Sequence, residues 1–295
     1  MSRTVTAEEV NEICDLTAAI ESQAEVFKNF AQGKAFLGPR AVLSQGENAQ
    51  FAYLARASQD GPTIVKFGTV FPVNAGSEYP VVQTSIIAMS PLNGSVEYIF
   101  DGESVTKLRT VAASMVAARA LAKARVNTIA IIGLGHQGIA HAKAFRELYP
   151  TAKLIGVGRQ KISNEFFDEV VTDTGKIQGA EIVLLATSSS KPVMQNINPG
   201  TTVISIGSFA PNRSEVSAEA VRGADLVVVD DVTTSMSQCG SIIDANHDGK
   251  LVIKSLGEIL LEGGSRHQES QRSLYFSVGL GIQDAALVEL ILERL

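Results

Sequence analysis

The stretch Thr128-Ile-Ala-Ile-Ile-Gly-Leu-Gly-His-Gln-Gly138 decides the fold. Five residues of β-forming character run without interruption into Gly133, Gly135 and Gly138, spaced as G-x-G-x-x-G, and a helix-like stretch from Gln137 to Tyr149 follows. That context is what a dinucleotide-binding turn requires. The first glycine permits a tight turn, the second removes a side chain that would block a pyrophosphate, and the third lets the helix pack close to the strand. The helix N-terminus then offers free N–H groups to the anion. Similar apolar runs recur downstream at Leu154–Val157, Ile182–Ala186, Val203–Ile206 and Leu226–Val229, separated by stretches long enough for helices. Continuous rather than alternating runs mark strands buried on both faces. The expected fold is therefore α/β, a Rossmann-type doubly wound parallel sheet.

The end of the second strand bears on which dinucleotide is held. An acidic residue about 20 positions beyond the loop would accept the ribose 2′-hydroxyl. Here the strand ends in Gly156-Val-Gly-Arg-Gln-Lys161, with no carboxylate. Arg159 with Lys161 suits a 2′-phosphate, so NADP(H) is favoured over NAD(H). Arg159 stacking on the adenine or facing solvent is the alternative.

On either side of this segment the periodicity differs. Residues Ala7–Gly33 read as one long helix, with Val10, Ile13, Leu16, Ile20, Val26, Phe27 and Phe30 near helical spacing. Phe51–Ala57, Thr63–Val70, Val81–Met89 and Val96–Phe100 are short, rich in β-branched and aromatic residues, and divided by turn formers, as in a small antiparallel sheet layered on helix. Helical patterning returns at Val105–Ala124 and again after Tyr275. The expected organisation is a smaller α+β domain of residues 1–106 with 276–295, for substrate binding and dimerisation, around a dinucleotide-binding domain of residues 107–275.

Composition narrows the partners. Among 295 residues, 25 Lys and Arg against 31 Asp and Glu leave a net charge of −6, so no basic excess exists for nucleic acid or an anionic membrane. The first thirty residues lack a basic segment followed by an apolar one, and no apolar run approaches the ~20 residues that cross a bilayer. A cytoplasmic protein is expected. Cys14 and Cys239 are too few for a disulfide framework, and His136, His141, His247 and His267 form no zinc-binding spacing, so no metal is expected.

Several stretches together resemble the ornithine cyclodeaminase and μ-crystallin family: Gly38-Pro-Arg40, Val65-Lys66, Asn93-Gly94, Val105–Ser114 with its Arg-Thr-x-Ala-Ala core, the glycine loop with Gln137, Ala186-Thr-Ser188, Gly207–Glu215, Leu256-Gly-Glu258, and Ser277-Val-Gly279 followed by Asp284. The resemblance implies two domains, a homodimer, and amino or imino acids as substrates, with hydride passing between the substrate α-carbon and a nicotinamide. By matched position, Arg40 and Arg109 would hold the carboxylate, with the cofactor phosphate as a further partner of Arg109. Lys66 would sit beside the reacting carbon and nitrogen, and Gln83 and Thr84 would line the cofactor side. Thr110, His136, Ser163, Ala186, Thr187 and Ser208 join the glycine loop, Gly158 and Arg159 on the cofactor. Read alone, Arg40 would be an ordinary surface charge, and Lys66, on a strand of period two, could point to solvent. The first strand is expected to be trimmed relative to the family.

One position departs from the family's cyclodeaminases. These carry a proton-accepting aspartate in Gly-x-Asp-x-Pro, where this chain has Phe209 in Gly207-Ser-Phe-Ala-Pro211. Phenylalanine accepts no proton. Members resembling μ-crystallin also lack that aspartate and reduce cyclic ketimines, a reaction that needs hydride and a proton but no base to strip an ammonium. The expected activity is therefore reduction of a cyclic imino acid such as Δ1-pyrroline-2-carboxylate or Δ1-piperideine-2-carboxylate to L-proline or L-pipecolate. Phe209 would pack against the ring, or else fill the core beneath its loop. An ornithine or lysine cyclodeaminase, an alanine dehydrogenase-like enzyme and a non-catalytic NADP-binding protein like μ-crystallin are the alternatives.

Overall fold

The computed structural model describes residues 2–160, 164–264 and 269–295. The chain divides into two compact units, Met1–Ala113 with Leu280–Leu295, and Ser114–Gly279. The division falls inside one continuous helix, α3, rather than at its head.

The first unit opens with β1 (Arg3–Val5), so a first strand is present, followed by α1 (Ala7–Ile13) and α2 (Leu16–Ala31). The single helix expected over 7–33 is thus two. Cys14 is extended, and the Asp15 carboxylate caps α2 by accepting the Ala18 N–H at 2.8 Å. A good N-cap satisfies orphan donors that a through-running helix would have paired in its own ladder, so Asp15 turns a periodic pattern into a break. The strands β2 (Phe36–Leu37), β3 (Ala41–Gln45), β4 (Asn48–Arg56), β5 (Thr63–Val70), β6 (Val82–Met89) and β7 (Val96–Asp101) follow, and β7 leads into α3 (Gly102–Leu121). The sheet runs β1-β7-β6-β5-β4-β2, with β3 also on β4; every pairing is antiparallel except β1 with β7.

Alternation along β5 sets the chemistry of this unit. Ile64, Lys66 and Gly68 are buried, while Phe67 points the other way and is 44% exposed. Lys66 pairs across the sheet with Tyr53 on β4 and Ile86 on β6, both buried on the same face. The last helix of the chain, Gly281–Arg294, packs against α2 and β4 in this unit.

The second unit contains β8 (Thr128–Ile132), α4 (His136–Leu148), β9 (Lys153–Val157), β10 (Glu169–Val171), β11 (Ile182–Leu185), β12 (Thr202–Ser205), α5 (Ala218–Arg222), β13 (Leu226–Val229), α6 (Val232–Gln238), α7 (Gly240–Ala245), β14 (Lys254–Ser255), α8 (Leu256–Leu261) and β15 (Ser273–Phe276); the final helix is then α9. All eight strands are parallel, in the order β10-β9-β8-β11-β12-β15-β13-β14. Strand order reverses between β8 and β11, the switch point at which α/β sheets place ligands. Strand β15 departs from the expectation of helix directly after Tyr275. Its Leu274-Tyr-Phe core is only three apolar residues between two serines, too short to register as a run, yet it lies buried between β12 and β13. Among the described residues no helix is long and apolar enough to cross a membrane.

Candidate active site

In the second unit the residues expected at a cofactor lie at the carboxyl ends of the parallel strands. Gly133 follows β8 with φ +99°, a conformation that favours glycine, and a Cβ there would fall on the Ala186 carbonyl oxygen. A Cβ on Gly138 would fall on the Gly133 carbonyl, so strand and helix touch through backbone. Gly135 differs. It has an ordinary φ of −82°, and a Cβ on it would meet no protein atom within 4 Å. Nothing in the fold demands glycine here, whereas an approaching pyrophosphate does. Gly135 is also the N-cap of α4 and supplies no side-chain hydrogen bond, leaving the helix N-terminus to an outside acceptor. The residues present therefore fit a dinucleotide.

His136 is exposed at the head of α4, and Gln137 keeps a buried Oε1 with no hydrogen-bond partner among the described residues. Arg159, just past Gly158 at the end of β9, is exposed. Ser163 and Lys161 lie outside the described residues. Ala186 and Thr187 follow β11, next to Gly133.

The next loop places Ser208 and Phe209 differently. Ser208 does not present its hydroxyl: the side chain is buried, within hydrogen-bond distance of Ser205 Oγ (3.1 Å) and Ser241 Oγ (3.3 Å), and it accepts the Glu215 N–H at 3.0 Å. Phe209 does not fill the core beneath its loop. It is 43% exposed, with the Arg213 guanidinium 4.7 Å from its ring centroid.

Two buried carboxylates brace these strand ends. Glu215 takes Thr187 N–H and Oγ1 on one oxygen and Ser205 Oγ and Gly207 N–H on the other, at 2.7–2.8 Å. Burial raises its pKa despite those bonds. Asp230, just after β13, accepts Val278 N–H at 2.8 Å, Gly279 N–H at 2.9 Å and Ser277 Oγ at 3.2 Å on one oxygen, and Asp231 N–H at 3.0 Å on the other. Burial pushes it up to about 6, against the opposing effect of those donors.

In the first unit the substrate-side residues converge on one carboxylate. Lys66, 2% exposed, donates from Nζ to Asp284 Oδ1 on α9 at 2.8 Å and to Thr106 Oγ1 on α3 at 2.5 Å. The Tyr53 hydroxyl donates to Asp284 Oδ2 at 2.8 Å. Arg109, one turn along α3 from Thr106, reaches Asp284 Oδ1 with Nε at 3.4 Å and Gln283 Oε1 with Nη1 at 3.3 Å. Arg40 lies over the Tyr53 ring, 5.3 Å from its centroid. Burial of Asp284 would raise its pKa, but the charges of Lys66 and Arg109 outweigh that and hold it below the usual carboxylate range. Burial, with Arg109 and Arg40 as neighbours, brings Lys66 down to about 8 against the pull of Asp284. Two cations thus share one carboxylate, with Arg40 over the neighbouring Tyr53 ring, and the surplus positive charge suits an added anion such as a substrate carboxylate.

Other residues stand differently from expectation. Thr110 turns back to donate to the Thr106 carbonyl at 2.6 Å. Gln83 and Thr84 are neighbours on β6, so their side chains take opposite faces. Thr84 shares the Lys66 face, beside Gly68 and Gly102, while Gln83 is exposed on the other. They cannot both line one side of the sheet. Sequence reasoning assigned no role to Asp284, Gln283, Tyr53, Thr106, Glu215 or Asp230. For Asp284 a signal existed: it is a lone carboxylate between apolar neighbours in Gly281-Ile-Gln-Asp-Ala-Ala-Leu287. Cys14 and Cys239 are free and buried, and burial pushes their thiols up to about 11 and about 12. Among the described residues no group of three or more His, Cys, Asp or Glu could hold a metal ion.

Comparison with known proteins gives a consistent kinship. A family model described as the ornithine cyclodeaminase/mu-crystallin family matches residues 2–295. Delta(1)-pyrroline-2-carboxylate reductase 1 of Burkholderia multivorans is 28% identical over 84% of this chain and 82% of its own length. An archaeal alanine dehydrogenase dimer with bound NAD superposes with a TM-score of 0.90 at 26% identity, covering 99% of this chain and 95% of that one. The Delta(1)-pyrroline-2-carboxylate reductase of Thermococcus litoralis, in complex with NADH and L-proline, has a TM-score of 0.88 at 24% identity over 99% and 96% of the two chains and shares the fold.

Proposed function

Because the chain belongs to the ornithine cyclodeaminase/mu-crystallin family, we propose that it is an NAD(P)H-dependent reductase of cyclic imino acids, taking Δ1-pyrroline-2-carboxylate or its six-membered homologue to L-proline or L-pipecolate. The observation that carries this reading is the buried Lys66–Asp284 pair with Arg109 on the same carboxylate. A bound nicotinamide supplies the hydride. Arg109 and Arg40 grip the substrate carboxylate, for which a planar guanidinium offers two parallel N–H donors. Lys66, whose pKa of about 8 lies close to neutrality, donates the proton to the imine nitrogen, and Asp284 and Thr106 fix its ammonium in place.

The loop at 207–211 contains no carboxylate, and Phe209 is exposed there as an apolar surface for a ring. Without a base to deprotonate an ammonium, reduction of a preformed C=N bond suits this chain better than deamination of ornithine or oxidation of alanine. The relative named Delta(1)-pyrroline-2-carboxylate reductase supports the same choice.

The cofactor is NADPH in preference to NADH, because β9 is followed by Gly158 and an exposed Arg159 with no acidic residue beside them. A homodimer is supported by the outward face of the first unit's sheet, where Leu54 (50% exposed), Val65, Phe67 and Ile87 make an apolar surface, and by the dimeric alanine dehydrogenase.

The test mixes purified protein with NADPH or NADH and each cyclic imine, following nicotinamide absorbance, with L-alanine and L-ornithine plus the oxidised cofactors in parallel. Consumption of NADPH with at least one imine is expected. Turnover only with the amino acids, or with nothing, overturns the reading.

A further inference from the structure

The loops after β11 and β12 share a single keystone. Glu215 is fully buried and spends both carboxylate oxygens on them: Oε1 accepts Thr187 N–H at 2.7 Å and Oγ1 at 2.8 Å, and Oε2 accepts Gly207 N–H and Ser205 Oγ, both at 2.7 Å. Its backbone carbonyl also takes the N–H groups of Val193 and Met194. The loops meet directly as well. A Cβ on Gly207 would collide with the Thr187 carbonyl, and a Cβ on Gly133 would collide with the Ala186 carbonyl and lie 3.2 Å from Thr187 Cγ2. Backbone contact therefore runs unbroken from the glycine loop after β8, through Ala186-Thr187 after β11, to Gly207 after β12.

In a doubly wound sheet the adenosine half of a dinucleotide lies on the β8–β9 side of the switch point and the second mononucleotide on the other, over β11 and β12. We propose that Glu215 is a positioning residue for the nicotinamide half of the cofactor: it sets the two loops on which that half rests and leaves the adenosine half alone. The inference depends on the dinucleotide-binding reading above. The carboxylate is specifically required, because all four of its partners donate. The amide of Glu215→Gln would turn an NH2 group toward Thr187 N–H or Gly207 N–H, donor against donor, and one loop would be released.

The experiment measures equilibrium binding of NADPH, NADH and 5′-AMP to the wild-type chain, Glu215→Gln and Thr187→Val, together with steady-state KM values. In Glu215→Gln the Kd and KM of the dinucleotides should rise about tenfold, the scale of one lost hydrogen bond to a charged group, while the Kd of 5′-AMP stays within about twofold and the KM for the imine holds. Thr187→Val, which loses one hydroxyl donor but keeps its N–H, should show the same selectivity at smaller size. A residue serving stability alone would weaken 5′-AMP and dinucleotide together. Parallel weakening, or no change in dinucleotide binding, overturns the proposal, and if Glu215→Gln does not fold, the selectivity of Thr187→Val decides. Failure of the wild-type chain to bind NADPH, NADH or 5′-AMP would instead overturn the dinucleotide-binding reading.

Discussion

Asp284 in the first unit and Asp230 in the second are both completely buried aspartates, yet their partners push them in opposite directions. Asp284 is met by Lys66, Arg109 and the Tyr53 hydroxyl, and the two cations hold it ionised. Asp230 is met mainly by the N–H groups of Val278, Gly279 and Asp231 and by serine hydroxyls, and burial prevails, lifting it to about 6. Neutral donors anchor backbone and carry no titratable proton in the neutral range, so the Asp230 arrangement is architecture. Cationic donors bring protons that can leave and charge that a ligand can share, so the Asp284 arrangement is equipped for chemistry. A buried carboxylate read without its donors would not distinguish the two.

The contrast can be broken most severely at Lys66. Lys66→Met should lower kcat/KM for imine reduction by about 10³, within the usual span of a general acid, in a steady-state assay of NADPH oxidation. A variant keeping a tenth of wild-type activity would mean that the cluster is scaffolding after all. The second unit should answer in stability instead. Because folded Asp230 titrates near 6 and an unfolded aspartate at 3.8, the native state binds more protons between those values, and its contribution to stability is lost as pH rises through that window, by ~3 kcal/mol. Asp230→Asn should flatten this part of the pH dependence in urea unfolding.

Asp284→Asn probes the first unit more gently. Wild-type kcat/KM should fall as pH rises through about 8, where Lys66 loses its proton. Since Asp284 favours the ammonium, its removal should move that fall to lower pH, costing about tenfold at pH 8 and less at pH 6. The smallest effect is expected in the loop after β9, where Arg159→Ala should reduce the preference for NADPH over NADH by up to about tenfold in kcat/KM while sparing the imine KM.

Much of this was legible in the sequence, for identifiable reasons. The runs Thr128–Ile132 and Leu226–Val229 coincide with β8 and β13, and Thr63–Val70 with β5, because buried strands and turn-bounded alternation leave strong local signals. Lys66 stood out as a cation inside an apolar run. The opposite faces of Gln83 and Thr84 were legible too, from adjacency on a strand alone. Asp284 was harder: its partners Lys66 and Tyr53 lie 218 and 231 positions away, so no local pattern joins them. Glu215 and Asp230 owe their surroundings to backbone N–H groups and Ser or Thr hydroxyls, common donors that no sequence motif advertises.

Strand β15 carries a consequence for how the chain reaches its native state. It lies in the interior of the second unit's sheet, yet it is the last of that sheet's strands to be made, and the α9 helix needed by the first unit follows it. During synthesis β12 and β13 must wait with unpaired facing edges until residue 276 has emerged, and the carboxylate on which Lys66 depends arrives later still. Neither unit can therefore finish before its segment from β15 or α9 has been made. Folding should be slow and concerted, dominated by contacts of large sequence separation, and a nascent chain stalled near residue 270 should be a substrate for chaperones rather than a folded half-enzyme.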